Sequence, residues 1–338
     1  MGLKLKKLED QVMVITGATS GIGLATARRA AQRGARVVLC SRNEPELRDA
    51  VRDIEQSGGT ARFAVADVSR PDDVERLASV AIEEFGGLDT WVNNAGVSFY
   101  GRLTEVAIED MRQLFEVNFW GTVYGSRAAV ARMRGGGGSL INIGSIASDR
   151  AIPLQGAYSA SKHAIKGFTD ALRMELEEEE APISVTLIKP SAIDTPYFEH
   201  AKNYMEVEPK PPAPVYAPDV VAGAILRAAE HPVRDIIVGG GGRLLTAVGA
   251  TLPRFTDYYM ERTMFGSQRS EVRSRHQSGN LYEPIGRENV ERGAYRGHVM
   301  QSSWYTQTRL SPGRALLVAG VGLAVFAGIR SFTNSGED

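Results

Sequence analysis

Residues 11–34 read QVMVITGATSGIGLATARRAAQRG, and the order of residue types in this stretch decides the fold. Its first five residues are an apolar run of strand type, the turn TGATSGIG follows, and the remainder has helical composition. Glycines are needed where the backbone approaches a pyrophosphate and where the helix packs close to the strand, and the free N–H groups at the start of the helix then face the phosphates. Gly17, Gly21 and Gly23 fill these places. The stretch predicts a nucleotide-binding strand, turn and helix; the alternative is a turn without a ligand.

The same alternation of strand and helix patterns continues along the chain. The predicted strands are Gln11–Ile15, Arg36–Cys40, Ala61–Val65, Leu88–Val92, Ser139–Ile143, Ile183–Ile188 and Asp235–Val238. Strands separated by helices are typical of an α/β fold with a doubly wound parallel sheet. In such a sheet a ligand lies across the carboxyl ends of the strands.

The end of the second predicted strand bears on the choice of cofactor. An acidic residue at this point binds the ribose 2′-hydroxyl of NAD, whereas an arginine suits the 2′-phosphate of NADP. The chain has Ser41 and Arg42 here and no carboxylate. These residues favour NADP(H); the alternative is a solvated arginine that opens the next helix.

Polar and glycine residues follow several other strands. Asp67 and Val68 follow the third strand, Asn93–Gly96 (NNAG) follows the fourth, and KPSAIDTP follows the sixth. Any one of these segments has ordinary turn chemistry. Their repetition at successive strand ends favours a ligand site at that edge of the sheet.

Residues 144–162, GSIASDRAIPLQGAYSASK, contain the candidate chemistry. Tyr158 and Lys162 are four residues apart and share one face of a helix. A fixed ammonium beside a phenol favours the phenolate, so we expect Lys162 to lower the pKa of Tyr158. Ser145 follows a strand and is placed to present a hydroxyl beside the phenol. The three side chains suit reduction of a carbonyl; the alternative for the pair is a solvated helix face.

Asn118 lies among apolar residues of a helix predicted over residues 108–132. A buried asparagine must satisfy its amide, and bonds to neighbouring backbone would do so. The same residue could also order a water molecule.

With these motifs in place, the chain resembles the short-chain dehydrogenase/reductase family over roughly residues 8–240, about seventy per cent of its length. The resemblance rests on TGATSGIG, Asp67-Val68, NNAG, Asn118, Ser145, YSASK and KPSAIDT, in the family's order. It implies a Rossmann-type doubly wound parallel sheet of about seven strands with helices on both faces, a nicotinamide cofactor and a homodimer or homotetramer.

The resemblance also implies roles for individual residues. Tyr158 would be the general acid/base, Lys162 would lower its pKa and bind the nicotinamide ribose, Ser145 would donate to the substrate oxygen, and Asn118 would hold a relay water. The predicted cofactor-binding residues are Gly17, Thr19, Ser20, Gly21, Ile22, Gly23, Ser41, Arg42, Asp67, Val68, Asn94, Ala95, Gly96, Tyr158, Lys162, Pro190, Ile193 and Thr195. One position departs from the family pattern: Pro190 is followed by Ser191 where glycine is usual, and a serine restricts the backbone there.

The predicted activity is therefore NADP(H)-dependent interconversion of a carbonyl and an alcohol. Five prolines between His200 and Pro218 predict a mobile lid without regular helix or sheet. Together with an apolar tail, this lid favours a lipophilic alcohol or ketone over a sugar. The alternatives are a non-catalytic NADPH-binding sensor or scaffold, and a lyase or epimerase on the same sheet.

The amino-acid composition argues against several other classes of protein. The net charge of −1 gives no field that would attract nucleic acid. Five histidines and a single cysteine favour neither a metal cluster nor a disulfide, and the chain start does not resemble a signal peptide. These features predict a reducing, cytoplasmic location.

The last hundred residues lie beyond the family resemblance. We expect an extension at residues 241–312, with a helix over 252–265 and partly irregular structure after it. An apolar helix is predicted at 313–330, where residues 315–329 carry no charge. Fifteen residues span about 22 Å of a hydrocarbon core that is about 30 Å thick. This helix is either an anchor on the cytoplasmic face of a membrane or buried against a partner subunit.

Overall fold

The computed structural model describes residues 3–274, 278–285 and 289–310. Its centre is a seven-stranded parallel sheet that we number in chain order. The strands are β1 Val12–Thr16, β2 Arg36–Ser41, β3 Thr60–Val65, β4 Thr90–Asn93, β5 Gly138–Ile143, β6 Ile183–Pro190 and β7 Asp235–Val238. Their spatial order is β3-β2-β1-β4-β5-β6-β7. The predicted α/β fold is confirmed, and each predicted strand is present with its bounds moved by two residues or fewer.

Helices cover both faces of the sheet. They are α1 Gly21–Gln32, α2 Glu44–Gln56, α3 Pro71–Phe85, α4 Ile108–Phe115, α5 Gly121–Met133, α6 Gly156–Glu178, α7 Tyr197–His200, α8 Pro218–Glu230, α9 Gly240–Thr251, α10 Pro253–Ser267 and α11 Trp304–Leu310, with 3₁₀ turns at Leu8–Asp10 and Ile146–Ser148. Apolar side chains of α1, α2 and α8 form the core on one face. Those of α3, α4, α5 and α6 form the core on the other.

The sheet changes direction at β1, which pairs with both β2 and β4. Chain connections from this point run to opposite sides of the sheet, so they leave a crevice at the carboxyl ends of β1 and β4. The glycine turn after β1 and the NNAG segment after β4 both lie at this crevice.

The helix predicted over 108–132 is interrupted. Between α4 and α5 the five residues Glu116–Trp120 are π-helical. Such a turn displaces the residues around it relative to a continuous α-helix, and π-helical turns are frequent at functional sites. Asn118 lies at the middle of this one.

The prediction that residues 200–218 contain no regular sheet is wrong. Three short strands form there: Lys202–Asn203, Val207–Pro209 and Val215–Tyr216. They pair respectively with Phe99–Tyr100, with Arg269–Arg273, and with both Ala192–Ile193 and Val299–Met300. The prolines fall at edges or between these strands, where a missing N–H costs no ladder bond.

The extension adds structure to the catalytic region. Helices α9 and α10 pack beside the loop before α6, where Met260 joins Ala147 and Ile152 in a small apolar cluster. The Arg150 guanidinium also pairs with Asp257 of α10.

The apolar segment predicted at 313–330 lies outside the described residues. Within residues 3–274, 278–285 and 289–310, no helix has the length and apolar character that crossing a membrane requires.

Candidate active site

One cavity lies at the carboxyl edge of the sheet. Of the predicted site residues, it is lined by Gly17, Thr19, Ser20, Gly21, Ile22, Ser41, Arg42, Asp67, Val68, Asn94, Ala95, Gly96, Ser145, Tyr158, Lys162, Pro190, Ile193 and Thr195. Segments far apart in the sequence meet here because parallel strands end at the same edge. Gly23 and Asn118 are the two predicted site residues that do not line the cavity.

Gly23 supports the glycine turn from behind. A Cβ atom on Gly23 would lie 2.1 Å from the Gly17 carbonyl oxygen and 2.7 Å from Asn94 Nδ2. Asn94 Nδ2 itself donates to the carbonyls of Thr16 and Gly17, at 2.9 and 3.1 Å. Gly17 has φ of 63°, which favours glycine. These contacts hold the start of α1 against the end of β4.

Asn118 also acts behind the cavity wall. Its Oδ1 accepts from the Val97 N–H at 2.8 Å, and its Nδ2 donates to the Val97 carbonyl at 3.0 Å and to Ser161 Oγ at 3.2 Å. The side chain is fully buried. The expected backbone bonds are therefore present, and they fix the NNAG segment to α6.

The candidate catalytic side chains come together on α6 and the loop after β5. Lys162 Nζ lies 5.6 Å from the centre of the Tyr158 ring and donates to the Ile143 carbonyl at 2.8 Å. Ser145 is buried, and its Oγ accepts from the Ala147 N–H at 3.1 Å, which orients the hydroxyl. The cluster is enclosed rather than a solvated helix face.

The electrostatics differ from the expectation for Tyr158. Burial raises the pKa of the Tyr158 phenol, although the neighbouring Tyr197 and Ser145 hydroxyls oppose the rise. Burial also lowers the pKa of Lys162 to about 8. Both shifts have the same cause, since a low-dielectric site disfavours the charged form of either group. In this structure the ammonium at Ile143 does not overcome the burial of the phenol.

Ser191, which stands where the family has glycine, adopts an ordinary backbone conformation: it is not among the residues with positive φ. Its Oγ donates to the Val238 carbonyl at 2.7 Å, and its N–H donates to the same oxygen at 2.9 Å. Gly239 and Gly242 leave room for the side chain, since a Cβ on either would lie within 2.5 Å of Ser191 Oγ. The serine thus ties the loop after β6 to the end of β7.

Arg42 lies at the cavity edge, and part of its guanidinium is already bonded. Its Nη1 donates to the Tyr282 carbonyl at 2.7 Å and its Nη2 to the Asn280 carbonyl at 2.6 Å. An arginine has five N–H donors, so donors remain for a further acceptor.

Two groups of cavity residues were missed from the sequence. Tyr100, Tyr197 and Phe198 line the wall near Tyr158, and Asn280, Pro284 and Ile285 of the extension line the wall near Arg42. The first group belongs to short apolar runs that look like ordinary core. The second belongs to a polar stretch without periodicity, so no sequence signal placed it at the site.

With this geometry established, comparison with known proteins identifies the class. The short chain dehydrogenase family pattern matches residues 11–205. An uncharacterized oxidoreductase of Bacillus subtilis, YxnA, is 47% identical over 323 residues, which cover 94% of this chain and 91% of that protein. This chain therefore belongs to the short-chain dehydrogenase/reductase family of oxidoreductases.

More distant relatives have named substrates or bound cofactors. A 3beta-hydroxysteroid dehydrogenase of Mediterraneibacter gnavus is 36% identical over 201 residues, 59% of this chain and 72% of that protein. A Burkholderia phymatum short chain dehydrogenase/reductase in complex with NAD matches with a TM-score of 0.66 and 27% identity, over 77% of this chain and 98% of that one. A Thermococcus sibiricus alcohol dehydrogenase complexed with 5-hydroxy-NADP matches with a TM-score of 0.60 and 27% identity, over 67% of this chain and 95% of that one.

Proposed function

We propose that this protein is an NADP(H)-dependent oxidoreductase that interconverts a carbonyl and an alcohol, with Tyr158 as the general acid/base. The observation that carries the proposal is the enclosed group of Ser145, Tyr158 and Lys162 beside the glycine turn at one edge of the sheet. When bound, the nicotinamide cofactor supplies the hydride or accepts it.

The residues at the glycine turn fit a dinucleotide. Gly17 and Gly23 keep this turn compact, and no N-cap side chain bonds to the start of α1. The N–H groups at a helix start favour an anion, and one of them, that of Gly21, already donates to the Val290 carbonyl at 3.0 Å. Gly96 lies close to the ammonium, since a Cβ there would be 3.9 Å from Lys162 Nζ. These residues would hold the phosphates and the nicotinamide half respectively.

The preference for NADP(H) rests on Arg42. The end of β2 presents Ser41 and Arg42 to the cavity and no acidic residue at either position. The remaining donors of the guanidinium suit a 2′-phosphate, which NADH lacks.

Proton transfer is assigned to the Tyr158 phenol. Burial raises the pKa of this phenol, so at neutral pH it carries the proton that reduction of a carbonyl requires, although the same shift makes it a weaker acid. Ser145 presents a second hydroxyl to the same oxygen, and Lys162 holds positive charge near both at or below about pH 8. Asn118 keeps this wall in place and is also proposed to order the relay water.

A lipophilic substrate fits the wall near Tyr158. Ile146, Ile152, Tyr197, Phe198 and Pro212 line that part of the cavity. A pocket of such side chains stabilises an apolar body. The hydroxysteroid dehydrogenase among the relatives supports a steroid-like or fatty alcohol or ketone.

The test is a panel of ketones and alcohols offered to the purified protein with NADPH or NADP⁺, with absorbance at the nicotinamide band as the readout. Turnover of an apolar ketone by the native protein supports the proposal. Binding of NADPH without turnover of any member would favour a sensor or scaffold. Conversion of a substrate with no net change in NADPH would favour a lyase or epimerase.

We also propose that the protein forms a homodimer or homotetramer and lies in the cytoplasm. It is either free there or attached to the cytoplasmic face of a membrane through residues 313–330. Sedimentation velocity and fractionation of the full chain would test these points.

A further inference from the structure

The C-terminal extension contacts the elements proposed to bind the cofactor. We define the described residues 278–285 and 289–294 as the C-terminal strap. Near the end of β2, the strap carbonyls of Asn280 and Tyr282 accept both bonds of Arg42. The strap thereby belongs to the wall beside the proposed 2′-phosphate position.

The second part of the strap lies along the other cofactor-binding segments. The Gly21 N–H, at the start of α1, donates to the Val290 carbonyl at 3.0 Å. Arg292 Nε lies 3.4 Å from an Asp194 carboxylate oxygen, in the loop after β6. A single segment of the extension therefore touches the glycine turn and the loop proposed for the nicotinamide.

The first part of the strap is anchored firmly. Leu281 is fully buried in the core that contains α4 and α6. Tyr282 Oη donates to Asp110 Oδ1 at 2.8 Å, and the Asn280 N–H donates to the His200 carbonyl at 2.8 Å. These bonds fix the backbone on both sides of Asn280.

Asn280 lines the cavity and has a side-chain oxygen without a partner among the described residues. This oxygen, Oδ1, is buried. Buried polar groups are nearly always bonded, so an amide oxygen without a partner on a cavity-lining residue favours a ligand group beside it. Because the Asn280 backbone carbonyl accepts from Arg42 Nη2 at 2.6 Å, the residue lies beside the proposed 2′-phosphate position.

We propose that Asn280 binds the adenosine half of the cofactor, accepting a hydrogen bond from a ribose hydroxyl or the adenine amino group. The extension is then part of the cofactor site, and the bound dinucleotide lies beneath the C-terminal strap. This inference rests on the proposed function, because it needs a nicotinamide dinucleotide in the cavity.

Titration calorimetry with the full-length protein tests the inference without turnover. Asn280→Ala should raise the Kd for NADPH about five- to tenfold, the effect of one lost hydrogen bond. It should raise the Kd for 2′,5′-ADP, which carries only the adenosine half, by the same factor. Binding of nicotinamide mononucleotide should not change.

Asn289→Ala is the matched control on the same strap. Asn289 also has a buried Oδ1 without a partner among the described residues, but its Nδ2 bonds to Asp53 at 3.4 Å and the residue does not line the cavity. The Kd of the Asn289→Ala variant for NADPH should equal that of the native protein. If Asn289→Ala lost as much NADPH affinity as Asn280→Ala, the proposed contact between Asn280 and the cofactor would be overturned, because both losses would then come from a structural change in the strap.

Asn280→Asp provides a second variant should the alanine variant fold poorly. A carboxylate keeps the acceptor but repels a 2′-phosphate, so NADPH should lose more affinity than NADH. Equal Kd values for the native protein and both Asn280 variants would refute the role of Asn280. Native protein that binds neither NADPH nor NADH would instead refute the proposed function itself.

Discussion

Replacing Asn118 with alanine would remove the side chain that links the π-helical turn, the NNAG segment and α6. The native amide makes two bonds to the Val97 backbone and one to Ser161 Oγ. All three partners are buried or nearly so. Alanine removes the partners of the N–H and carbonyl of Val97, a residue that is 4% exposed.

The size of the effect follows from these two groups. A buried polar group left unpaired costs about 1–3 kcal/mol, so two of them cost about 2–6 kcal/mol. A native protein has about 5–15 kcal/mol of free energy of unfolding in total. Asn118→Ala should therefore lose a large share of the stability while the sheet itself remains intact.

Urea denaturation followed by circular dichroism measures this loss. Ser161→Ala is the matched control: it removes the third bond at 3.2 Å, together with the Ser161 Oγ bond to the Tyr158 carbonyl at 2.8 Å, and leaves both bonds to Val97. We expect about 1 kcal/mol for Ser161→Ala and at least twice that for Asn118→Ala. A loss below 1 kcal/mol for Asn118→Ala would refute the view that this amide supports the cavity wall.

Three further predictions concern the cofactor and the pH dependence. Gly23→Ala should weaken NADPH binding at least tenfold by calorimetry, because the new Cβ would lie 2.1 Å from the Gly17 carbonyl oxygen. Gly223→Ala is the control and should leave the affinity unchanged, since a Cβ there would meet nothing within 4 Å. Equal NADPH affinities for the two variants would contradict the packing argument. Arg42→Ala should bring the Kd for NADPH to that for NADH, from a native preference of about ten- to a hundredfold; a native protein without preference would contradict the assignment. Burial lowers the pKa of Lys162 to about 8, so the ammonium is lost as the pH rises through that value, and kcat/KM for reduction should fall there. A rate that stays constant to pH 10 would contradict the loss of a required ammonium near pH 8.

The fold followed from the sequence because its signals are local. A strand, a glycine turn and a helix within residues 11–34 fix the first unit, and the repeating alternation fixes the parallel sheet. Parallel strands end at one edge, so most of the predicted cofactor-binding residues could be placed together. For Gly23 the sequence left open both contact with the pyrophosphate and packing of helix against strand, and for Asn118 both backbone bonds and a water. The structure shows the packing and the backbone bonds, and spacing alone does not distinguish a residue that lines a cavity from one that supports it.

The features of the site that could not be predicted from the sequence depend on long-range contacts. Asn280 reaches the cavity through pairings of the extension with Arg42, Asp110 and His200, none of which leaves a periodic pattern in the sequence. The pKa of Tyr158 depends on how deeply the fold buries the phenol, and the i, i+4 spacing from Lys162 carries no information on burial. Ser191 likewise acquires its role from the Val238 carbonyl on another strand.

The most direct test of the proposed function compares Tyr158→Phe with the native protein on a ketone that the native protein reduces. Tyr124→Phe is the control, since that ring stacks on Trp120 of the neighbouring turn and does not line the cavity. Loss of the general acid should lower kcat by about 10²- to 10⁴-fold, while the Kd for NADPH stays within a factor of two of the native value. Reduction by Tyr158→Phe at more than a few per cent of the native rate would contradict the assignment of Tyr158.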